Sequence, residues 1–367
     1  MADAEAVRRA KVLLDELSKT PRFAGSPEEG KARARCREEL ESAGFSCKDL
    51  PFEYSQWPGR WGPPIAAFIQ AATILVVAHM AVHHGPLWAL VVGAAMVSAL
   101  MLISADAKRR WTARFPWQRA RSVNLEARRG NPQVWLVAHI DSKSQTVPML
   151  LRIASSVVVG LVTASTFVII LLSLVGASPP EYAWHVLALA AVVGALPSML
   201  CFVRNESRGA LDNASGVAAV LIASQSVPAT RDLGVLITSG EELGLAGARA
   251  WAAAASPGML VVNCDTVDDR GSWRCMYTGP KPARIAGAGE TIAGKLGLNL
   301  AAGRMIPGIL ADSMVFADRG IESVTISRGN LSTLARIHTR RDNSNAIGGS
   351  GVADAGALLS SLAKELG

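Results

Sequence analysis

The sequence predicts an α/β domain cut into by two apolar helical hairpins, and three observations carry that expectation. Strand-like and helix-like stretches alternate through the polar part of the chain, the pattern of a sheet covered by helices. Four uncharged apolar runs, each about 18 residues or longer, interrupt that alternation. Half of the 367 residues are hydrophobic while only 5% are aromatic, so the mean hydropathy of +0.27 reflects an aliphatic excess that a soluble core does not need. The net charge of +7 and a pI near 9.4 would suit nucleic acid, but no aromatic-interleaved basic stripe or known nucleic-acid motif is present. The basic residues flank the apolar runs instead. Cys36, Cys47, Cys201, Cys264 and Cys275 form no CxxC pair, and their odd number argues against a full disulfide framework; a reducing compartment fits.

In chain order, Met1-Ala2-Asp3-Ala4-Glu5 is acidic and opens an amphipathic helix reaching Leu17, which does not read as a cleavable signal peptide. A second helix is marked at both ends: Ser26 caps it, Pro27 suits the first turn, Glu29 completes a capping box and Gly44 ends it. The apolar runs Pro64 to Val82 and Leu87 to Ala105 make one hairpin, and Ile153 to Ala177 and Tyr182 to Val203 another; each run can span a bilayer. Arg60, Lys108, Arg109, Arg110, Arg114, Arg119, Arg121, Arg152, Arg204 and Arg208 lie by the helix ends away from the tips, and neither tip holds Lys or Arg. The positive-inside rule therefore puts the tips outside and the polar pieces in the cytoplasm, in an integral protein of the inner or plasma membrane. Because each insertion is a hairpin, residues 1–60, 106–147 and 204–367 return to one side and assemble one domain, with hairpins at 64–105 and 153–203. Within it, Ser122 to Ala127, Gln133 to Ala138, Leu233 to Thr238, Met259 to Asn263 and Ser323 to Ser327 read as strands. Ala214 to Gln225, Leu245 to Ala255, Arg284 to Leu296 and Val352 to Leu366 read as helices.

Metal-ligand residue types follow the buried strands. His139-Ile140-Asp141, Glu241-Glu242 and Cys264-Asp265 each stand just past one, Asp212 sits at the mouth of a helix, and His338 follows the strand at Ser323. Open α/β sheets collect their chemistry at strand ends, so these side chains are expected at one sheet edge. Taken alone, Glu241-Glu242 also reads as an acidic helix start favoured by the helix dipole. Together, two imidazoles and three carboxylates suit two divalent ions with one carboxylate bridging. Ions about 3.5 to 4 Å apart acidify a shared water and polarise a carbonyl, and the spare member of the Glu pair would take the water's proton.

The succession His139-x-Asp141, Asp212-Asn213-Ala214-Ser215-Gly216-Val217, Gly240-Glu241-Glu242-Leu243-Gly244-Leu245, Asn263-x-Asp265 and His338-Thr339 resembles the co-catalytic di-zinc aminopeptidase family. That family includes leucyl aminopeptidases, aminopeptidases S and Y, and glutamate carboxypeptidase relatives. Arg22-Phe23-Ala24-Gly25-Ser26 and Ala311-Asp312-Ser313-x-x-Phe316 extend the similarity over most of the polar chain but not into the hairpins. The resemblance implies a mixed β-sheet between helix layers. It implies that Asp212 bridges two metals, that His139 and Asp265 complete one site and Glu242 and His338 the other, and that Glu241 is the general base. Asp141 would orient the first histidine, fixing its tautomer. The implied cofactors are two divalent ions, zinc with manganese or cobalt as alternatives.

Several residues read more simply. His79, His83, His84 and His185 suit interfacial packing, Cys264 a small buried strand end, and Trp57, Trp61, Trp111 and Trp117 membrane anchors. Arg340 and Arg341, where many relatives carry a proline and acids, are candidates for a substrate carboxylate or for the lipid surface. Ten residues separate Asp141 from Arg152 and eight separate Val203 from Asp212, which tethers the ligands within roughly 30 to 40 Å of the bilayer edge. The expected function is a membrane-anchored aminopeptidase acting on free N-termini of peptides near that surface. The rivals are an amidase or deacylase of N-acylated, membrane-associated compounds, a glutaminyl-cyclase-like reaction, and a non-catalytic scaffold, against which the intact ligand set and Glu241 speak.

Overall fold

The computed structural model describes residues 4–106, 110–306 and 308–367. Residues 1–3, 107–109 and 307 lie outside it, and with them the start of the acidic N-terminus and Lys108 and Arg109 of the basic cluster. The chain divides into two compact units, one built from residues 1–54, 119–144 and 204–367, the other from 55–118 and 145–203.

The first unit begins with α1 (Ala4–Leu17) and α2 (Pro27–Ser42) and is organised by an eight-stranded mixed sheet. Its strands are β1 (Ser46–Ser55), β2 (Arg119–Arg129), β3 (Val134–His139), β6 (Leu233–Thr238), β7 (Leu260–Val267), β8 (Ser272–Tyr277), β9 (Leu300–Arg304) and β10 (Glu322–Gly329); β4 (Ser144–Gln145) and β5 (Val203–Arg204) form a separate short ribbon. The sheet order is β1-β2-β6-β3-β7-β10-β8-β9. β3 runs parallel to both β6 and β7, and β7 parallel to β10, while β2 and β8 pair antiparallel with β6 and β10. β3 and β6 are buried along their whole length, which is why they read as unbroken apolar runs. Parallel register puts His139 opposite Thr238 and Val137 opposite Asn263, so the segments leaving β3, β6 and β7 emerge at one edge.

Helices cover both faces. On one, α9 (Ala246–Ala252) and α11 (Ser313–Ala317) pack through Trp251, Ala248, Val315 and Phe316 onto Trp135, Val137, Leu236 and Val261. On the other, α8 (Ser215–Ser226) and α13 (Ser350–Leu366) pack together and onto β3 and β7, joined by α1 and α10 (Ala283–Lys295). The short α12 (Leu331–Arg336) leads from β10 to His338 and is capped by Asn330.

The expected strands and helices are present, and the differences have local causes. Ser26 caps α2 by accepting the Glu29 N–H, but Glu29 closes no capping box. Its carboxylate is buried and accepts from the Gly25 N–H and the Ser122 and Ser239 hydroxyls instead, so tertiary bonding outcompetes the local motif. β1, β8 and β9 carry little periodic apolar signal: β1 is an edge strand holding Lys48, Asp49 and Pro51, residues that edges tolerate.

The second unit holds α3 (Trp57–His83), α4 (Pro86–Asp106), the single turn α5 (Thr112–Arg114), α6 (Met149–Leu174) and α7 (Glu181–Met199). The four long helices have mean hydropathies of 1.5 to 2.6 over an 18-residue window and are long and apolar enough to cross a membrane. α3 starts well before the apolar run and carries Pro63 and Pro64 inside it. Small and polar residues bring helices close: the Ser198 hydroxyl donates to Ser155 Oγ at 2.8 Å, Ser155 donates to the Gly194 carbonyl, and Gly194 faces Val158. Outward residues such as Leu102, Leu161 and Val175 are exposed apolar groups. Trp57, Trp111 and Trp117 gather around Phe115, with Trp57 and Phe115 stacked at 4.6 Å.

Candidate metal centre

Each candidate ligand is delivered by a short, polar, buried segment at the sheet edge. His139 is the last residue of β3 and is 1% exposed. Its Nδ1 lies 3.1 Å from the Asp141 backbone carbonyl, within reach for an Nδ1–H to donate, and its buried Nε2 has no hydrogen-bond partner. That Nε2 faces Asp212 Oδ1 at 3.1 Å, Asp265 Oδ1 at 3.7 Å and Glu241 Oε2 at 3.9 Å. Asp265 lies on β7 and accepts the Thr266 hydroxyl at 3.1 Å.

Asp212 belongs to a wide turn, Ala210–Ala214, that leads into α8, and its peptide bond to Asn213 is cis. Two buried groups brace the turn. Asp342 accepts the Leu211 N–H at 2.6 Å and the Asp212 N–H at 3.2 Å. The Arg22 guanidinium donates to the carbonyls of Ile140, Arg208 and Gly209, tying the loop after β3 to the loop before Asp212. Gly209 has φ +57°, and a Cβ there would stand 2.5 Å from the Asp212 carbonyl oxygen and from Ser142 Cβ, so glycine is required.

Glu241 and Glu242 occupy one 3-10 turn, Glu241–Leu243, between Gly240 and Gly244, both with positive φ. The Asp141 carboxylate accepts the backbone N–H of Glu241 and of Glu242, each at 3.2 Å. Asp141 Oδ1 is 3.6 Å from His139 Nδ1, so the carboxylate chiefly shapes the glutamate turn and its backbone carbonyl meets the imidazole. His338 adopts φ +60°, a strained backbone for a residue with a Cβ, and places Nε2 3.1 Å from both Asp212 Oδ2 and Glu242 Oε2.

The result is two convergent ligand groups that share Asp212: His139, Asp212 and Asp265, and Asp212, Glu242 and His338. All three shared or flanking carboxylates and both imidazoles are polar groups in a largely buried pocket. Burial opposes ionisation of Asp212, but the imidazoles of His139 and His338 outweigh it and hold the carboxyl well below the usual range. Burial alone would keep His139 neutral; the carboxylates of Glu241, Asp141, Asp212 and Asp265 instead pull its pKa well up. Glu241 is held well above an ordinary glutamate by burial, reinforced by Glu242, Asp265 and Asp312 and opposed by His139. A concentration of three ligand carboxylates around two imidazoles, with an orphaned Nε2, fits divalent cations of the zinc type.

Arg340 and Arg341 are not brought into this cluster. Arg340 is exposed and pairs with Glu206 at 3.0 Å, and Arg341 is exposed on the turn that Asp342 closes. His79 and His83 have ring centroids 4.5 Å apart in α3 but form no convergent ligand group among the described residues. A cavity of about 630 Å³ lined by Gln133, Trp135, Trp251 and Met259 contains none of the candidate ligands. Lys143, which carries no motif or periodic signal, stands in the cluster with Nζ 2.8 Å from Glu242 Oε2.

The sequence pattern of Peptidase family M28 matches residues 122–363, about two thirds of the chain and all of the ligand segments. The chain belongs to peptidase family M28. Membership makes this M28 chain a metallopeptidase-type hydrolase, and solved structures agree on the fold. An aminopeptidase from Aneurinibacillus sp. strain AM-1 superposes with a TM-score of 0.58 at 14% identity, covering 97% of this chain and 92% of that one. BSAP, a zinc aminopeptidase from Bacillus subtilis, gives 0.57 at 14% identity, with 98% and 95% covered. The glutaminyl cyclase from Fimbriiglobus ruber gives 0.54 at 15% identity, with 99% and 96% covered. No curated protein matches the M28 chain.

Proposed function

We propose that this M28 chain is a membrane-anchored di-metal aminopeptidase that removes residues from free peptide N-termini. The observation that carries the reading is the pair of ligand groups sharing Asp212, with Glu241 beside them and outside both. His139, Asp212 and Asp265 would hold one ion, and Asp212, Glu242 and His338 the other; zinc suits the donors, and manganese or cobalt would also bind. Bound there, divalent ions would supply Lewis-acid polarisation of the scissile carbonyl and acidify the attacking water.

The chain's own residues do the rest. Glu241, buried and with a raised pKa, accepts the water proton and returns it to the leaving amine nitrogen as the C–N bond breaks. Asp141 fixes the turn that presents Glu241 and Glu242, and the Asp141 carbonyl holds the His139 tautomer. The exposed guanidiniums of Arg340 and Arg341 are candidates to receive a substrate carboxylate; an Arg340→Ala, Arg341→Ala variant with an unchanged preference for acidic over neutral peptides counts against that role.

In this reading residues 1–60, 106–147 and 204–367 are the peptidase domain, facing the cytoplasm, and the two hairpins span the inner or plasma membrane. The absence of Lys and Arg from the tips and their abundance at the other helix ends support that orientation. The short connections from Asp141 to Arg152 and from Val203 to Asp212 favour peptides or amides that partition to the membrane surface. A glutaminyl-cyclase-like or acyl-amide reaction is the second reading, favoured by the fold shared with the Fimbriiglobus ruber enzyme.

Mass spectrometry of matched peptides, N-terminally free or acylated, incubated with detergent-purified protein and Zn²⁺ or Mn²⁺, separates these. Stepwise loss from free N-termini alone is expected. Loss of the acyl group, or cyclisation of an N-terminal glutamine, moves the protein to the second reading, and no product from any peptide leaves a non-catalytic scaffold.

A further inference from the structure

Lys143 has no part in the reaction proposed above, yet its ammonium occupies the cluster. It lies on the loop that follows β3, its side chain is 12% exposed, and Nζ stands 2.8 Å from Glu242 Oε2 and 3.0 Å from the Glu242 backbone carbonyl. Glu242 Oε2 is the same oxygen that lies 3.1 Å from His338 Nε2. The ammonium is therefore bonded to a ligand atom of the Asp212, Glu242 and His338 group. No Lys or Arg among the described residues pairs with His139, Asp212 or Asp265. The two halves of the centre differ by one fixed positive charge.

We propose that Lys143 makes the two metal sites unequal, so that the His139, Asp212 and Asp265 half fills first and the Asp212, Glu242 and His338 half binds its ion weakly and conditionally. This rests on reading the cluster as the metal centre. An ion on Glu242 Oε2 would share that oxygen with the lysine's hydrogen bond and face a like charge a few ångströms away in a poorly solvated pocket, where repulsion is strong. The lysine stem is flexible enough to leave and return, unlike a guanidinium fork. Meanwhile the Lys143 backbone N–H, 3.3 Å from Glu242 Oε1, keeps the carboxylate oriented.

The test is a binding measurement. Full-length detergent-purified protein, stripped with chelator, is titrated with Zn²⁺ by equilibrium dialysis and elemental analysis. Wild type should take up one ion per chain tightly and a second about 100-fold more weakly. Lys143→Met should tighten the weaker site by at least about tenfold without moving the tighter one, and Lys143→Arg should keep the gap. Asp265→Ala should abolish the tighter site, assigning it. Lys143→Gln, which keeps the length and a donor toward the Glu242 carbonyl, replaces the Met variant if that protein fails to bind even its first ion. Two equal sites in wild type, or an unchanged gap in both neutral variants, overturns the inference while leaving the metal centre intact. No bound zinc in wild type overturns the metal centre and this inference together.

Discussion

Asp141 shows how much a single side chain outside the ligand groups decides. Its two oxygens hold consecutive backbone N–H groups, those of Glu241 and Glu242, and so set the turn from which the proposed base and one ligand project. Asp141→Asn turns one acceptor into a donor facing an N–H. The expected result is a fall in kcat of about 10- to 100-fold with the folded circular-dichroism spectrum kept; full activity would show that the turn holds itself. Glu29 makes a second residue-scale prediction. Burial, with a contribution from Asp141, pushes its carboxyl up to about 7 against hydrogen bonds from Ser239, Gly25 and Ser122. A carboxyl raised in the folded state costs nothing below its ordinary value of 4.5; the cost grows as pH rises towards 7 and is constant above, roughly 3 kcal/mol in all. Glu29→Gln should therefore raise the melting temperature at pH 8 relative to wild type and leave it unchanged near pH 4.5. An equal shift at both pH values would show that Glu29 is ionised without cost.

At the scale of elements, the site depends on turns whose geometry the side chains cannot relax. Gly209→Ala would push a Cβ onto the Asp212 carbonyl and Ser142 in a left-handed conformation, which costs on the order of 1 to 3 kcal/mol and displaces Asp212. Lowered zinc content together with a lower melting temperature is expected, and wild-type values for both would contradict the role given to that turn. In the apolar unit, a Cβ on Gly194 would lie 2.7 Å from Val158 Cγ1, whereas one on Gly160 meets nothing within 4 Å. Gly194→Leu should lower detergent thermostability and Gly160→Leu should not; equal losses would mean that α6 and α7 do not pack through Gly194. The elements that were legible in the sequence are those with an uninterrupted physical signal. β3 and β6 are apolar throughout because both faces are buried, and the four long helices announce themselves by length and hydropathy. β1, with Lys48, Asp49 and Pro51, has no such pattern because an edge strand needs none. Four of the candidate metal ligands were legible because His139, Glu242 and Asp265 stand at or just past a readable strand and Asp212 opens a readable helix, whereas His338 follows the short α12. Lys143, Asp342 and the tertiary use of Glu29 were not, since their partners lie roughly 100 to 200 residues away in sequence and only folding brings them together.

Over the whole molecule, a buried polar cluster and four apolar helices are written into a single chain in which the second pair of helices lies between His139 and the other four candidate ligands. The distribution of basic residues predicts a sidedness that labelling can read. In a cysteine-free background, Ser178→Cys at a hairpin tip should react with a membrane-impermeant maleimide from outside, and Lys19→Cys only after permeabilisation; the reverse pattern would invert the topology. In the hydrolytic metal centre proposed around Asp212, Glu241 moves the proton and does not hold the ions. The most direct measurement pairs zinc content with peptide hydrolysis in Glu241→Gln. Wild-type zinc content is expected, with hydrolysis reduced by about 10²- to 10⁴-fold. Undiminished hydrolysis, or loss of zinc equal to that of an Asp212→Ala protein, would contradict it.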